Sequence, residues 1–263
     1  MNIAIIGYGK MGRLIEELAL GKGHRIAAVI DPFVTEEKTQ RGSVIGKSIQ
    51  TLAALKQKPD AAIEFTRPDM AADNILYLAG AGIPVVVGTT GWYDRLAEIT
   101  EAVKKSGTSL LWAPNFSLGM NLFYRMAEFA AELFDPFPEY DAGGLEIHHN
   151  KKADSPSGTA KVIAQKVLSK MTRKKNAVYE KLDHPPAPDE FHFASLRVGS
   201  VYGVHSVIFD SPAETIEITH TSRNRESLTA GALRAAEWLA GKNRTGVFTI
   251  DDMLTDILQK RMV

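Results

Sequence analysis

The sequence predicts an α/β protein, a Rossmann-type doubly wound parallel sheet with an inserted α+β domain built on a mixed sheet. Three observations carry this. The chain opens strand, glycine turn, helix; short apolar runs then alternate with helical stretches as far as residue 112; and beyond about residue 118 the alternation gives way to closely spaced strand-like runs. Asn2 to Ile6 is the first apolar run. Met11, Leu14, Ile15, Leu18 and Ala19 follow at helical spacing until Gly21 and Gly23 stop them. Arg25 to Ile30, Ala61 to Phe65, Pro84 to Val87 and Ser109 to Trp112 read as four further buried strands, with helical stretches before the last two. Leu122, Met126, Phe129, Ala130 and Leu133 mark a long helix over 118–134, with Met120 and Met126 read as core. After a basic segment and its helix, a Pro-rich loop at 183–189 leads to runs at 191–197, 202–209 and 215–221, a rhythm that favours an antiparallel or mixed sheet. Glu226 to Leu239 is helical and stops at Gly241; Gly246-Val247-Phe248 then leads into a last helix near 251–258. The expected division is a dinucleotide-binding domain from 1–117 and 226–263, with 118–225 inserted for substrate binding and tetramerisation. Two hinge crossings result, and closure about them is expected to exclude water.

Composition narrows the function. At 263 residues and 44% hydrophobic content the chain can bury a real core. Lys plus Arg and Asp plus Glu are equal at 31 each, so the whole-molecule field points to neither nucleic acid nor an anionic membrane. With no cysteine, disulfides, thiolate metal sites and a thiol nucleophile are excluded. No signal-like leader and no 18-residue apolar stretch occurs, which reads as a soluble, untargeted protein. His24, His184, His192, His205 and His220 are scattered without ligand spacing, so a metal-free site is expected. Trp92, Trp112 and Trp238 read as packing residues.

In GYGKMG, Gly7, Gly9 and Gly12 form GxGxxG between a strand and an amphipathic helix, with Tyr8, Lys10 and Met11 between them. The first glycine permits the turn, the second lets backbone approach a pyrophosphate, and the third lets helix and strand pack closely. Asp31 closes the second strand, where a carboxylate can accept from an adenosine ribose. Pro32 follows it and no basic residue appears until Lys38, so the reading leans to NADH over NADPH. Thr66-Arg67-Pro68 and Gly88-Thr89-Thr90-Gly91 end the next strands at the same edge. Ala113-Pro114-Asn115-Phe116 ends the fifth, suited to the carboxamide edge of a nicotinamide.

The most unusual stretch is GLEIHHNKKADSPSGTA, residues 144–160. Leu145 and Ile147 alternate with Glu146 and His148 as in a half-buried strand, so His148 and His149 face opposite ways. Ser155 is a candidate N-cap with Pro156 in the first helical position, and Gly158 and Thr159 offer free first-turn amides. Lys151 or Lys152 with a histidine completes an anion site holding a proton source.

HHNKKADSPSGTA is similar to the signature of the 4-hydroxy-tetrahydrodipicolinate reductase (dihydrodipicolinate reductase) family of bacterial lysine biosynthesis. FTRP, GTTG, APNFSLGMN, RVGSVYGVH and EITHTSRNRESLTAGALRAAEWLAGK resemble it in the same order, covering nearly the whole chain. The resemblance implies a cytoplasmic homotetramer that reduces a cyclic dicarboxylate with NADH or NADPH. By position it implies His148 as acid/base residue, Lys152 as proton donor, His149 as a substrate contact, and Gly158 and Thr159 amides for a carboxylate. It places cofactor contacts at Gly7, Tyr8, Gly9, Lys10, Met11 and Gly12, at Asp31, at Gly88, Thr89 and Thr90, and at Ala113, Pro114, Asn115 and Phe116. Pro32 departs from members that carry Arg there, and Asn150-Lys151 from members that carry Arg and His. The second carboxylate has no assigned partner, Arg197 being only a guess. The alternatives are another two-domain dehydrogenase acting on an amino acid or sugar, and a non-enzymatic NADH-sensing regulator.

Overall fold

The computed structural model describes residues 1–179, 181–241 and 244–259. The chain forms two compact units, one from 1–117 and 225–263 and the other from 118–224. The end of the expected 226–263 segment, residues 260–263, lies outside the described residues.

The first unit is a seven-stranded, wholly parallel sheet. Its strands are β1 (Asn2–Ile6), β2 (Arg25–Ile30), β3 (Ile45–Gly46), β4 (Ala61–Glu64), β5 (Val85–Val87), β6 (Ser109–Trp112) and β12 (Gly246–Thr249). The spatial order β12-β6-β5-β4-β1-β2-β3 means the chain winds outward from β1 through β2 and β3, then returns to β4 on the other side. A topological switch point therefore opens between the carboxyl ends of β1 and β4, the place where such sheets bind ligands. Strands β1, β4 and β5 are almost wholly buried because helices α1 (Lys10–Gly21), α2 (Pro68–Gly80), α3 (Leu96–Ser106) and α6 (Glu226–Ala240) cover the sheet. Gly246-Val247-Phe248, expected only as a lead into the last helix, adds the outermost strand beside β6, and α7 (Ile250–Gln259) follows it. Trp92 is 1% exposed and packs against Trp112, as expected of a core aromatic.

The second unit has a five-stranded mixed sheet in the order β11-β10-β7-β9-β8. These are β7 (Asp141–His148), β8 (Asn176–Val178), β9 (Glu190–Arg197), β10 (Gly203–Asp210) and β11 (Thr215–Ser222). β10 runs antiparallel to β7 and β11, and β7 runs parallel to β9. Two helices, α4 (Leu118–Phe134) and α5 (Gly158–Leu168), bury Phe123, Ile163, Val167, Phe193 and Phe209 in a separate core.

One expectation about a face is corrected here, and one that was open is resolved. Met120 is buried, but Met126 is 49% exposed, together with Leu122, Phe129 and Leu133: α4 buries its Phe123, Ala127 and Ala130 side instead. On β7 the apolar pair Leu145 and Ile147 is only half-buried, whereas Glu146 and His148 are buried. The sheet register accounts for the second result, since Ile147 pairs with Val204 and Leu196, whereas α4 and α5, among the described residues, pack with Ala142, Phe193, Val207 and Phe209 of the other face.

Candidate functional site

At the carboxyl edge of the parallel sheet, backbone hydrogen bonds lay the turns side by side. Gly7 donates to Ile30 O (2.8 Å), Phe65 to Ile6 O (2.8 Å), Gly88 to Glu64 O (2.9 Å) and Ala113 to Val87 O (3.3 Å). Four segments far apart in sequence so become neighbours. Each glycine of the first turn has its own geometric reason. Gly7 has φ +94°, and a Cβ there would lie 2.1 Å from Phe65 O; one on Gly12 would lie 2.1 Å from Gly7 O. A Cβ on Gly9 meets nothing within 4 Å, so that position faces open space.

Two adjoining hollows fill this space. One, of about 160 Å³, is lined by Gly7, Asp31, Phe33 and Arg67; the other, of about 450 Å³, by Lys10, Met11, Gly88 and Thr90; Gly9, Phe65 and Thr66 border both. Helix α1 starts at Gly9 with no side-chain cap, which leaves its first amides open towards an anion. Asp31 accepts from Tyr8 N–H (2.7 Å) and Phe33 N–H (2.8 Å), one bond to each carboxylate oxygen, and each oxygen keeps capacity for a ribose hydroxyl. A dinucleotide thus fits on three counts: the open Gly9 position, the uncapped amides and the acceptor beside them.

Not every predicted side chain faces these hollows. Tyr8 is buried and its hydroxyl donates to Glu16, so only its backbone lies at the turn. Thr89 Oγ1 accepts the Thr66 amide (2.8 Å), leaving Thr90 as the exposed hydroxyl. Ala113 and Phe116 are buried, Pro114 is exposed, and the Asn115 side chain accepts the Ser117 amide (2.8 Å). Gly231 of α6 presses on this last segment, for a Cβ there would lie 1.7 Å from Phe116 O. The expectation of no nearby cation beside Asp31 held only along the sequence. Arg67, on the loop after β4, stacks over Phe33 at 5.0 Å and pairs with Asp69 at 2.8 Å.

The second unit gathers the other predicted residues. α5 begins at Gly158 and its N-cap is Ser157, whose hydroxyl accepts Ala160 N–H at 3.1 Å. This replaces the expected cap at Ser155 with Pro156 in the first turn; that pair forms a cis peptide ahead of the helix. Gly158 and Thr159 consequently occupy the first two helical positions, where amides have no intrahelical acceptor. Lys152 lies in the loop before them and its ammonium pairs with Asp154 (2.7 Å), while its amide donates to His149 O (3.1 Å). Lys151 is exposed, and His149 is half-buried just past the end of β7.

Beneath this loop lies a group the sequence did not single out. Glu146 is 0% exposed, and the strand register sets His205 of β10 and Ser195 of β9 on either side of it, with Arg197 beside His148. One carboxylate oxygen, Oε1, takes Arg197 Nη2 (2.7 Å), Ser195 Oγ (2.9 Å) and Ser157 N (3.0 Å). The other, Oε2, takes the Ser157 hydroxyl and faces His148 Nδ1 (3.4 Å) and His205 Nε2 (3.5 Å). Burial alone would raise the Glu146 pKa, but His205, Ser157 and Arg197 outweigh it and hold the carboxyl well below its usual range. His148 moves from 6.5 to about 4, chiefly because burial disfavours its cation and despite the attraction of Glu146. It is therefore a neutral imidazole at neutral pH. Glu146, His148 and His205 lie close enough to surround a metal ion, yet the Arg197 guanidinium on the same carboxylate opposes a second cation. Arg197 itself is spent on Glu146 and on Asp154 O (2.7 Å), which removes it as a ready partner for the second carboxylate.

Comparison with known proteins matches both units. Residues 1–116 match the family model described as "Dihydrodipicolinate reductase, N-terminus", and residues 119–254 the one described as "Dihydrodipicolinate reductase, C-terminus". A protein of Christiangramia forsetii named 4-hydroxy-tetrahydrodipicolinate reductase is 36% identical over 98% of this chain and 100% of its own. One of the same name from Archaeoglobus fulgidus is 35% identical over 97% and 100%. Among solved structures, a dipicolinate-bound dihydrodipicolinate reductase from Paenisporosarcina sp. TG-14 superposes with TM-score 0.78 over 95% of this chain and 97% of its own, at 22% identity. That last likeness supports the fold; the sequence matches span the glycine turn and the α5 start alike, and by them this chain belongs to the dihydrodipicolinate reductase family.

Proposed function

We propose that the protein reduces 4-hydroxy-tetrahydrodipicolinate to tetrahydrodipicolinate with NADH or NADPH, in lysine and diaminopimelate synthesis in the cytoplasm. One observation carries the site: a positively polarised helix start, at Gly158 and Thr159, next to the Lys152 ammonium and a neutral His148. Both sequence relatives bear this activity in their names, which favours it over a dehydrogenase of amino acids or sugars and over a non-enzymatic sensor. Two carboxylates on the substrate require anion sites, and the Gly158 and Thr159 amides, with His149 or Lys151 nearby, form one of them.

The nicotinamide supplies hydride when bound. Gly7 to Gly12 and Asp31 hold the pyrophosphate and ribose, and Gly88 to Thr90 with Ala113 to Phe116 border the ring end. Electron density left on the substrate ring is quenched by a proton from Lys152, the charged donor in the loop. His148, neutral at working pH, orients and accepts instead of donating. The lean is to NADH, because Asp31 meets the ribose while Arg67 is already paired with Asp69. The uncovered face of the second sheet, with Leu196 50% exposed beside Ile147 and Val204, is where a homotetramer would bury apolar area. The test is to couple the purified protein to a source of the cyclic intermediate and follow NADH and NADPH absorbance side by side. Oxidation of both, faster with NADH, is expected; oxidation of neither ends the proposal.

A further inference from the structure

A fully buried carboxylate is costly. Replacing a buried ion pair by packed apolar side chains is often neutral or stabilising, so the Glu146–Arg197 pair is weak evidence for a role in stability. What distinguishes Glu146 is where its bonds lead. Through Ser157 it reaches the helix start, because the hydroxyl that donates to Glu146 also accepts Ala160 N–H, while the Gly158 and Thr159 amides keep the free capacity of first-turn positions. Through Arg197 it reaches the loop, since the same Nη2 also binds Asp154 O, and the Asp154 side chain holds Lys152. Its Oε2 lies 3.4 Å from Nδ1 of His148, close enough for charge attraction though without a hydrogen bond, while the opposite ring nitrogen lies against Gly203: a Cβ there would sit 3.1 Å from Nε2.

We propose that Glu146 is the positioning residue of this site, one carboxylate that sets the His148 ring, the Lys152 loop and the amide-lined start of α5 together. The inference rests on the functional reading above and deepens it. A carboxylate beside Nδ1 favours the tautomer protonated there, which leaves the lone pair of Nε2 as an acceptor. The groups that face the carboxylate come from every neighbouring element: His148 on β7, Ser195 and Arg197 on β9, His205 on β10, and Ser157 ahead of α5.

Two variants separate positioning from charge balance. Glu146→Gln keeps the shape and removes the charge; Glu146→Asp keeps the charge and withdraws it by one methylene. Both are expected to lower kcat about tenfold or more per folded molecule, with the affinity for NADH within about twofold of wild type. Wild-type kcat in folded Glu146→Asp would reduce Glu146 to a counter-ion for Arg197 and overturn the proposal. The imidazole nitrogen-15 shifts of His148 give a readout independent of activity. The wild-type protein should show the Nδ1-protonated form, and a folded variant a mixture. A wild-type His148 protonated only at Nε2, or shifts unaltered in a folded variant, would also overturn it, and the wild-type spectrum decides even if neither variant folds. A wild-type protein inactive on the cyclic substrate would instead sink the functional reading, leaving the spectra to judge Glu146.

Discussion

The two units each leave the first amides of a helix open, and they do so by opposite means. At α1 the device is the lack of side chains: Gly9 caps without a hydrogen-bonding group, and Gly7 and Gly12 let backbones touch. At α5 it is crowding, with a buried Glu146 taking bonds from Ser157, Ser195 and Arg197 so that the first amides stay free. The first device is local, because the φ of a glycine and the room for a Cβ are felt within a few residues and one neighbouring turn. The second is assembled from three strands and a loop, and exists only when the sheet is in register.

Lys152→Ala should separate the two starts most sharply. Turnover is expected to fall about 10²-fold, the usual scale for loss of a proton-transfer group, while cofactor affinity measured by nucleotide fluorescence stays the same. A parallel loss of that affinity would break the separation. Next in size, Gly9→Ala should keep its melting temperature because nothing lies within 4 Å of the new methyl. It should nonetheless weaken NADH binding about tenfold by filling the space a pyrophosphate needs. Gly12→Ala, with its methyl 2.1 Å from Gly7 O, should lose stability as well, by about 1–3 kcal/mol. Equal melting curves for these two variants would contradict the packing described for the turn. Ser157→Ala removes a cap worth about 1 kcal/mol and one donor to Glu146, so calorimetry should show weaker binding of pyridine-2,6-dicarboxylate with NADH affinity unaltered.

A further effect is one of pH. His148 titrates in the folded chain at about 4, below its ordinary 6.5, so the unfolded chain takes up the proton first as the solution is acidified. Its contribution to stability is complete above about pH 6.5 and is lost progressively as pH falls towards 4. Glu146, also depressed, acts in the same sense below its ordinary 4.5. Thermal melts of wild type and His148→Gln across this range should therefore converge at acid pH. Curves that stay parallel would show that His148 is not buried as a neutral ring.

Much of the first unit was legible because its signals are short-range: apolar runs of strand length, helical spacing after Met11, and glycines at the turn. The two short strands Ile45–Gly46 and Asn176–Val178 were not, since two or three residues carry no periodicity. Alternation along β7 showed a half-buried strand but not which half, and the buried half proved to be that of Glu146 and His148, because Glu146 finds enough partners to be buried. The cap was misplaced from Ser157 to Ser155 for a related reason. Either serine suits the position, and the choice fell to the one that reaches both Ala160 N and Glu146. His205, a scattered histidine in sequence, acquired a setting only from its pairing opposite Glu146.

From the amino-acid order alone came the fold class, the glycine turn, and the free first-turn amides of residues 158 and 159 with an ammonium and an imidazole close by in the chain, because each depends on neighbours within a turn or two. Tertiary structure alone decided that Arg67 stands near Asp31, that Arg197 is spent on Glu146, and that His148 is neutral. Those outcomes turn on desolvation and on charges brought together from separate strands, and neither has a value until the sheets are built.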